Sequence, residues 1–259
     1  MQLRCPICQE PLKKVGHSAL CLNRHCFDYA RHDAYLNLLR KQSVAHGDNK
    51  AMVQARTAFL DTGAYAFLRD HLKAQINRLH PGVLVDLGCG EGYYTRSFPA
   101  AEKYGFDLSK EALKHAGTVD SSTCYAVASI FHLPLPSACA DIAVTCFAPA
   151  AIQEIERILK AGGSFLFVTP GPRHLWELKS IVYDLPYENE QKDITSVLQL
   201  QERQCISDRF TLNRTEIGNL FAMTPYVHRT PKEAAKRLES LSELTLTAEF
   251  IIRRYQKPL

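Results

Sequence analysis

Short apolar segments alternate with amphipathic ones between residues 83 and 169, and this pattern limits the possible folds more than any other feature of the sequence. The apolar segments have the length of buried strands, and Ser109 is a candidate N-cap for the helical segment KEALKHA. The order predicts an α/β fold, with a doubly wound, mostly parallel sheet and helices on both faces. The predicted strands are VLVDL (83–87), KYGFDL (103–108), TCYAVA (123–128), DIAVTCF (141–147) and SFLFVT (164–169).

Two further strands are predicted near the C-terminus, RQCISDRFTL (203–212) and LTLTAEFIIRRY (244–255), with helical segments before and between them. A strand pair that follows a parallel sheet often supplies an antiparallel edge. The prediction is therefore a seven-stranded, mostly parallel sheet. Gly117 is expected to stop the helix that begins after Ser109.

A glycine-rich loop, VDLGCGEGYYT, follows the first predicted strand, and YYTRSF is predicted to begin a helix. Gly88, Gly90 and Gly92 let the backbone turn sharply and approach a ligand with no side chain in between. Tyr93 stands where the dinucleotide-binding fingerprint has its third glycine, which argues against a pyrophosphate ligand. Asp107 ends the next strand, where a carboxylate can accept hydrogen bonds from both hydroxyls of a ribose.

Residues 5–27, CPICQEPLKKVGHSALCLNRHCF, contain four cysteines and two histidines. Cys5, Cys8 and Cys21 belong to every ligand set that the spacing allows for a metal ion. The fourth ligand is either His25, in a C-x3-H pattern, or Cys26, in a C-x4-C pattern, because both spacings suit a closed tetrahedral zinc site. The pattern predicts a small zinc-binding module and leaves its fourth ligand open.

The formal net charge of +4 is concentrated at the N-terminal end, where residues 1–60 hold nine Lys/Arg and four Asp/Glu, against 22 and 23 in the rest. A positive end on a neutral body favours a polyanionic partner, although a solvated charged surface gives the same balance. The sequence has neither a signal-peptide pattern nor an uninterrupted apolar stretch long enough for a membrane span. We therefore expect a cytoplasmic protein with no membrane partner.

The stretch VLVDLGCGEG, followed by GFDLS, resembles motif I and the next acidic motif of class I methyltransferases that use S-adenosylmethionine (SAM). LKAGG, before the fifth strand, resembles the usual turn of that superfamily. The resemblance implies a Rossmann-like domain that binds SAM at the carboxyl ends of its strands. The expected cofactor-binding residues in these two motifs are Asp86, Gly88, Gly90, Glu91, Gly92 and Asp107.

The stretches CPIC, CLNRH and YLNLL, together with QARTAFLDTGAY and TPGPRHLWELK, resemble the bacterial 23S rRNA guanine-N1 methyltransferases over nearly the whole chain. The resemblance implies methyl transfer from SAM to N1 of a guanine in a 23S rRNA hairpin, a zinc module that helps hold this hairpin, and a homodimer. It favours His25 over Cys26 as the fourth zinc ligand. The cofactor contacts that it implies are Tyr65, Gly90, Glu91 and His174.

Three segments follow from these motifs: a zinc-binding RNA-recognition module at 1–40, a linker with N-terminal helices at 41–79, and a SAM-dependent methyltransferase domain at 80–259. Two alternative functions stay open. One is a zinc-ribbon RNA-binding protein with a non-catalytic methyltransferase fold, and the other is a small-molecule methyltransferase whose zinc module is only structural.

The sequence assigns no catalytic residue. Guanine N1 carries a proton at neutral pH, so some group must accept it, and His174, Glu177, Asp141 and water are the candidates. None of the three side chains has the spacing of a base with a residue that orients it. Phe147 and Pro149, after the fourth strand, could form the wall of a base pocket or could cap the core.

Overall fold

The computed structural model describes residues 3–39, 48–191, 193–228 and 230–259. Most of the predicted linker at residues 41–50 lies outside these ranges. A small antiparallel sheet near the N-terminus contains β1 (Lys13–Val15), β2 (Ser18–Leu20) and β3 (Cys26–Asp28). The helices are α1 (Lys50–Leu60), α2 (Ala66–Leu79), α3 (Lys110–Val119), α4 (Ile152–Ile158), α5 (Trp176–Val182), α6 (Arg214–Met223) and α7 (Lys232–Glu239).

The central sheet is mostly parallel and has the strand order β10-β11-β9-β8-β5-β6-β7-β4. β11 runs antiparallel to both β9 and β10, so the predicted antiparallel edge is confirmed. The strands are β4 (Leu36–Asn37), β5 (Val83–Leu87), β6 (Glu102–Asp107), β7 (Thr123–Val127), β8 (Ala140–Cys146), β9 (Leu159–Pro170), β10 (Gln199–Asn213) and β11 (Glu243–Gln256).

The prediction of seven strands is wrong by one, because β4 adds an eighth strand at the edge of the sheet. β4 comes from the N-terminal region and pairs in parallel with β7, Leu36 opposite Ala126 and Asn37 opposite Val127. Two residues are too few to show the alternation by which a strand is recognised in a sequence. The position of β4 is set by docking against β7.

The two faces of the sheet support two apolar cores. Leu84 belongs to the core that contains Phe59 and Leu68 of the first two helices, whereas its neighbour Val85 belongs to the core on the other face. This division follows from strand geometry, since successive side chains point to opposite faces. The second core also contains Leu36 and other apolar residues of the N-terminal module, so the module packs directly against the central sheet.

The helix predicted after the glycine loop is reduced to one 3-10 turn, Thr95–Ser97. Pro99 explains the difference, because the residue before a proline is disfavoured in the helical region and only a few residues remain before it. Gly117, expected to end α3, lies inside that helix, which continues to Val119. A Cβ atom at Gly117 would lie 1.8 Å from the carbonyl oxygen of Ala34, so the glycine lets the N-terminal module approach the helix closely.

The strand order changes direction next to β5. β6 and β7 follow it on one side and β8 lies on the other side, so the carboxyl end of β5 is a topological switch point. Open α/β sheets bind ligands in the crevice at such a point. In the part of the chain that the structure describes, no helix is both long and apolar enough to cross a membrane.

Candidate functional site

The glycine loop folds back onto the end of β6. The N–H groups of Gly88 and Cys89 donate to the carbonyl oxygen of Phe106 at 2.8 and 3.1 Å, and the N–H of Gly90 donates to Asp107 Oδ2 at 2.9 Å. Gly88 has φ of +79°, and a Cβ atom there would lie 2.4 Å from the Cβ of Ala148. The loop therefore requires glycine at residue 88 both for its backbone conformation and for its close approach to the segment after β8.

Asp107 is held at the end of β6 by backbone donors. Its Oδ1 accepts a hydrogen bond from the N–H of Ser109 at 2.8 Å, and its Oδ2 accepts the bond from Gly90. Burial raises the pKa of Asp107, and these two N–H groups oppose the shift. The carboxylate is thus fixed in orientation at the pocket wall, as a group that accepts hydrogen bonds from ribose hydroxyls must be.

Asp86 is a buried carboxyl group in the middle of the site. Its Oδ2 accepts a hydrogen bond from Thr95 Oγ1 at 2.6 Å, and no described residue donates to its Oδ1. Burial raises the pKa of Asp86 to about 7, the Thr95 hydroxyl opposes the shift, and the nearby Asp107 adds to it. A buried oxygen without a partner at the pocket wall is available to a donor of a bound ligand.

Tyr65 and His174 meet at the pocket wall although they are far apart in the sequence. The Tyr65 hydroxyl lies 3.3 Å from His174 Nε2, and His174 Nδ1 lies 2.9 Å from the backbone oxygen of Glu249. Burial lowers the pKa of His174 to about 3, so the imidazole is neutral at physiological pH. Both ring nitrogens have protein partners, and His174 is therefore not placed as a free proton acceptor.

Arg56 is a site residue that the sequence reasoning missed. Its guanidinium pairs with Asp48 and lies 3.8 Å from Glu91 Oε2 in the glycine loop. Burial alone would lower the pKa of the Arg56 guanidinium. The negative charges of Asp48 and Glu91 outweigh burial, so the pKa is raised. The stretch QARTAFLD around Arg56 carries part of the family resemblance, but a helical arginine has no sequence pattern that predicts its partners.

A cavity of about 1310 Å³ lies at the carboxyl ends of the central strands. The structure brings most of the predicted cofactor residues together around it: Tyr65, Asp86, Gly88, Gly90, Glu91, Asp107 and His174. Gly92 is not part of the described lining, and a Cβ atom there would lie 2.5 Å from the Tyr125 hydroxyl. Gly92 shapes the loop from behind, and its predicted contact with the cofactor stays a prediction.

The lining of the cavity also includes three segments from later in the chain. They are residues 146–149 after β8, residues 187–190 after α5, and residues 223–226 after α6. Phe147 is 43% exposed and has φ of +64°, a conformation that is rare for an aromatic residue and is found mostly at functional sites. The ring lies 5.3 Å from that of Phe250, measured between centroids.

The other two candidate proton acceptors lie away from the cavity. Glu177 accepts hydrogen bonds from the hydroxyl and the N–H of Thr247, at 2.8 and 3.1 Å. Asp141 accepts from Lys160 and from the N–H of Val83, both at 2.7 Å, at the amino end of β8. Each carboxylate is a structural link between elements, and neither lines the cavity.

A second site lies in the N-terminal module. Cys5, Cys8, Cys21 and His25 each contribute one potential ligand atom, and these atoms lie within 4.8 Å of one another. Two of the distances are 3.6 Å, between the sulfur atoms of Cys8 and Cys21, and 3.4 Å, from the Cys21 sulfur to His25 Nδ1. Tetrahedral bonds of about 2.0 to 2.3 Å to zinc place neighbouring ligands about 3.5 Å apart, so the set fits zinc. Cys26 is exposed and lies outside the set.

Two tight turns hold this set. The N–H of Gln9 donates to Cys5 O at 2.9 Å and the N–H of Arg24 donates to Cys21 O at 3.0 Å, and both donating residues have positive φ. A backbone hydrogen bond from Glu10 is the main cause that lowers the pKa of Cys8 to about 6. The turns therefore favour the thiolate form in which cysteine binds a metal.

Comparison with known proteins decides the family. A zinc-ribbon family model described as "RlmA, N-terminal" matches residues 3–43, and a model described as "Methyltransferase domain" matches residues 85–167. The 23S rRNA (guanine(748)-N(1))-methyltransferase of Streptomyces fradiae is 33% identical over 97% of this chain and 96% of that protein. The chain belongs to the family of 23S rRNA (guanine-N1)-methyltransferases.

Other relatives agree with this family assignment. A protein of Micromonospora griseorubida that is also named as a 23S rRNA (guanine-N(1)-)-methyltransferase is 31% identical over 98% of this chain and 97% of its own length. A chain from the complex between the Haloferax volcanii Trm112 methyltransferase activator and a methyltransferase shares the fold. Its TM-score is 0.53 at 18% identity, over 83% of this chain and 100% of that one.

The predicted family, the class I methyltransferase fold and the two cofactors, SAM and zinc, are confirmed. The residues of each site also fit the group that it would hold. The three thiols and one imidazole suit zinc. The unpartnered oxygen of Asp86, the fixed carboxylate of Asp107 and the open backbone of the glycine loop suit a nucleoside with hydroxyl and ammonium donors.

Proposed function

We propose that the protein transfers a methyl group from SAM to N1 of a guanine in a hairpin loop of 23S rRNA. The observation that carries the proposal is the pocket at the switch point of the sheet, whose lining combines Asp107 and the glycine loop with the exposed aromatic side chains of Phe147 and Tyr187. The near full-length similarity to the Streptomyces fradiae enzyme, whose name states this reaction at guanine 748, supports it.

The cofactor is proposed to occupy the side of the pocket formed by the glycine loop. Asp107 would accept the ribose hydroxyls, Gly88 and Gly90 would allow close approach, and Glu91 would be held in place by Arg56. Tyr65 and His174 would form the wall next to it, joined by their hydrogen bond. When bound, SAM supplies an electrophilic methyl group, so most of the work left to the protein is to position the acceptor base.

The acceptor guanine is proposed to enter from the opposite wall. Phe147 offers an exposed ring at the mouth of the pocket, in a backbone conformation that costs about 1 to 3 kcal/mol and so favours a function there. Unpaired bases in RNA loops are commonly bound by stacking on aromatic side chains. A guanine stacked on Phe147 would lie in the same cavity as the residues after α5.

The zinc module is proposed to bind the RNA hairpin. In this module Cys5, Cys8, Cys21 and His25 would be the zinc ligands, and the frame would carry exposed basic side chains. Contacts of cations with phosphates give salt-dependent affinity that does not depend on sequence. The basic residues are Lys13, Lys14, Arg24 and Arg31. A homodimer in the cytoplasm completes the proposal.

The decisive experiment is methyl transfer from labelled SAM to 23S rRNA that lacks its natural modifications, with the product mapped by reverse transcription. N1 methylation blocks base pairing, so we expect one strong stop, next to a guanine. An Asp107→Ala variant should give no stop, and an Asp184→Asn variant, which loses an exposed carboxylate outside the pocket, should match the wild type. Label incorporation without any stop would exclude N1 as the acceptor atom.

The same preparation distinguishes the two alternative functions. A non-catalytic RNA-binding protein would bind the rRNA with salt-sensitive affinity and would transfer no label. A small-molecule methyltransferase would show no salt-sensitive affinity for the RNA. The proposal requires both the salt-sensitive binding and the transfer.

A further inference from the structure

The proton on guanine N1 needs an acceptor, and the residues already described leave few groups that could take it. Both nitrogens of His174 have protein partners, and Glu177 and Asp141 lie outside the cavity. On the cofactor side, Asp107 is engaged by backbone N–H groups and Glu91 lies beside Arg56. Asp86 accepts a hydrogen bond from Thr95 with one oxygen, and its other oxygen is the one assigned above to a donor of the cofactor. The segment after α5 brings two further carboxylates to the cavity, Glu188 and Glu190.

That segment is pinned to the protein by one buried lysine. Lys179 Nζ donates to the carbonyl oxygen of Tyr187 at 2.9 Å and to Asn189 Oδ1 at 2.8 Å. Asn189 is held further, because its Nδ2 donates to Gly171 O at 2.7 Å and its N–H donates to Pro172 O at 2.9 Å. The residues on both sides of Glu188 are therefore fixed.

Glu188 itself has the properties of a substrate-binding carboxylate. It lines the cavity, and within the described ranges no hydrogen bond or ion pair engages its side chain. Burial lowers the pKa of the Lys179 ammonium and the charge of Glu188 opposes that shift, so the two groups lie near each other. The backbone on both sides of Glu188 is held, and its exposed side chain at the cavity is free to contact a ligand.

We infer that Glu188 binds the Watson–Crick edge of the acceptor guanine and accepts the N1 proton, an inference that rests on the proposed function. The N1–H and the exocyclic amino group of guanine are adjacent donors, and a carboxylate offers two acceptor oxygens at matching spacing. No other nucleobase presents these two donors side by side with an N1 proton. Glu188 is thus both the residue that selects guanine and the general base.

The step balances with the groups named. The N1–H bond breaks and its proton goes to one oxygen of Glu188, which leaves the electron pair on N1. N1 forms a bond to the methyl carbon as the bond from that carbon to the sulfonium sulfur breaks, and the sulfur keeps the electron pair of the broken bond. The neutral Glu188 then returns its proton to water, so no further reactant is needed.

The test compares four variants with the wild type in single-turnover methyl transfer to an RNA hairpin that carries the mapped target guanine. Glu188→Gln keeps the shape but cannot accept a proton, and we expect its rate at neutral pH to fall at least about 100-fold. The difference in rate between Glu188→Gln and the wild type should become smaller as the pH rises, because guanine N1 then loses its proton to solvent without a general base. Asp184→Asn, a change of the same charge on the same loop but outside the cavity, should match the wild type.

A hairpin with inosine at the target position tests whether Glu188 selects guanine through the exocyclic amino group. Inosine has the N1–H but lacks this amino group. The wild type should methylate inosine on the order of 10-fold more slowly than guanine, and Glu188→Ala should lose this preference. Equal rates for Glu188→Gln and the wild type, or a defect found in Glu190→Gln instead, would overturn the assignment. A wild type that methylates no guanine would overturn the proposed function itself, which is a distinguishable result.

Discussion

The buried carboxyl group of Asp86 should make the protein less stable as the pH rises through neutrality. In an unfolded chain this group has a pKa of 3.8, and burial raises it to about 7 in the folded protein. Between these two values the folded protein holds a proton that the unfolded chain has released. Unfolding therefore releases a proton, and the free energy of unfolding falls as the pH rises.

The size of this effect follows from the shift. About three pH units correspond to about 4 kcal/mol over the whole titration, of which roughly 2 to 3 kcal/mol falls between pH 5 and pH 8. Asp86→Asn removes the titration but keeps an oxygen to accept the hydrogen bond from Thr95. If the new amide lowers the free energy of unfolding, it does so equally at both pH values. That cost therefore cancels when the stability difference between wild type and variant is compared between the two pH values.

Urea unfolding of the wild type and of Asp86→Asn at pH 5 and pH 8 measures the effect. We expect the stability of the wild type relative to the variant to fall by roughly 2 to 3 kcal/mol between the two pH values. Asp184→Asn, at a carboxylate that is 91% exposed, is the matched control and should show no such trend. A difference between wild type and Asp86→Asn that stays constant within about 0.5 kcal/mol would refute the reasoning.

Three further changes test the other sites. His25→Ala should lose bound zinc, measured by metal analysis of the purified protein, whereas Cys26→Ser should keep it; retained zinc in the first variant would contradict the ligand set. Gly117→Ala should lower the free energy of unfolding by about 1 to 3 kcal/mol, because the clash with the Ala34 carbonyl outweighs the better helix propensity; an unchanged urea midpoint would argue against the close approach. Phe147→Ala should weaken hairpin binding on the order of 10-fold and leave the affinity for SAM unchanged, so an equal loss of both affinities would place the ring on the cofactor side.

The parallel core of the fold was predictable because its strands are continuous apolar segments. The predicted strand VLVDL has the same bounds as β5 in the structure, and Asp107 ends β6 as expected. Elements set by tertiary contacts were not predictable. β4 has only two residues, and the one turn of 3-10 helix after the glycine loop replaces a helix that local propensity favoured.

The two walls of the candidate site also differ in how far the sequence predicts them. The wall proposed for the cofactor carries motifs at fixed spacing along the chain, and Asp86, Gly88 and Asp107 could be named from the sequence. Arg56 and Glu188 reach the cavity only through helix packing and a loop pinned by a buried lysine. No short sequence pattern encodes such long-range contacts, so this part of the site becomes visible only in three dimensions.

The pairing of β4 with β7 also has a consequence for the behaviour of the protein under metal depletion. β4 covers the two last residues of β7, which would otherwise present free backbone donors and acceptors at the margin of the central sheet. Uncovered margins of this kind recruit other chains and begin aggregation. Because β4 belongs to the region that the zinc ligands would organise, we expect a chelator to uncover this margin of the sheet and to promote self-association of the chain.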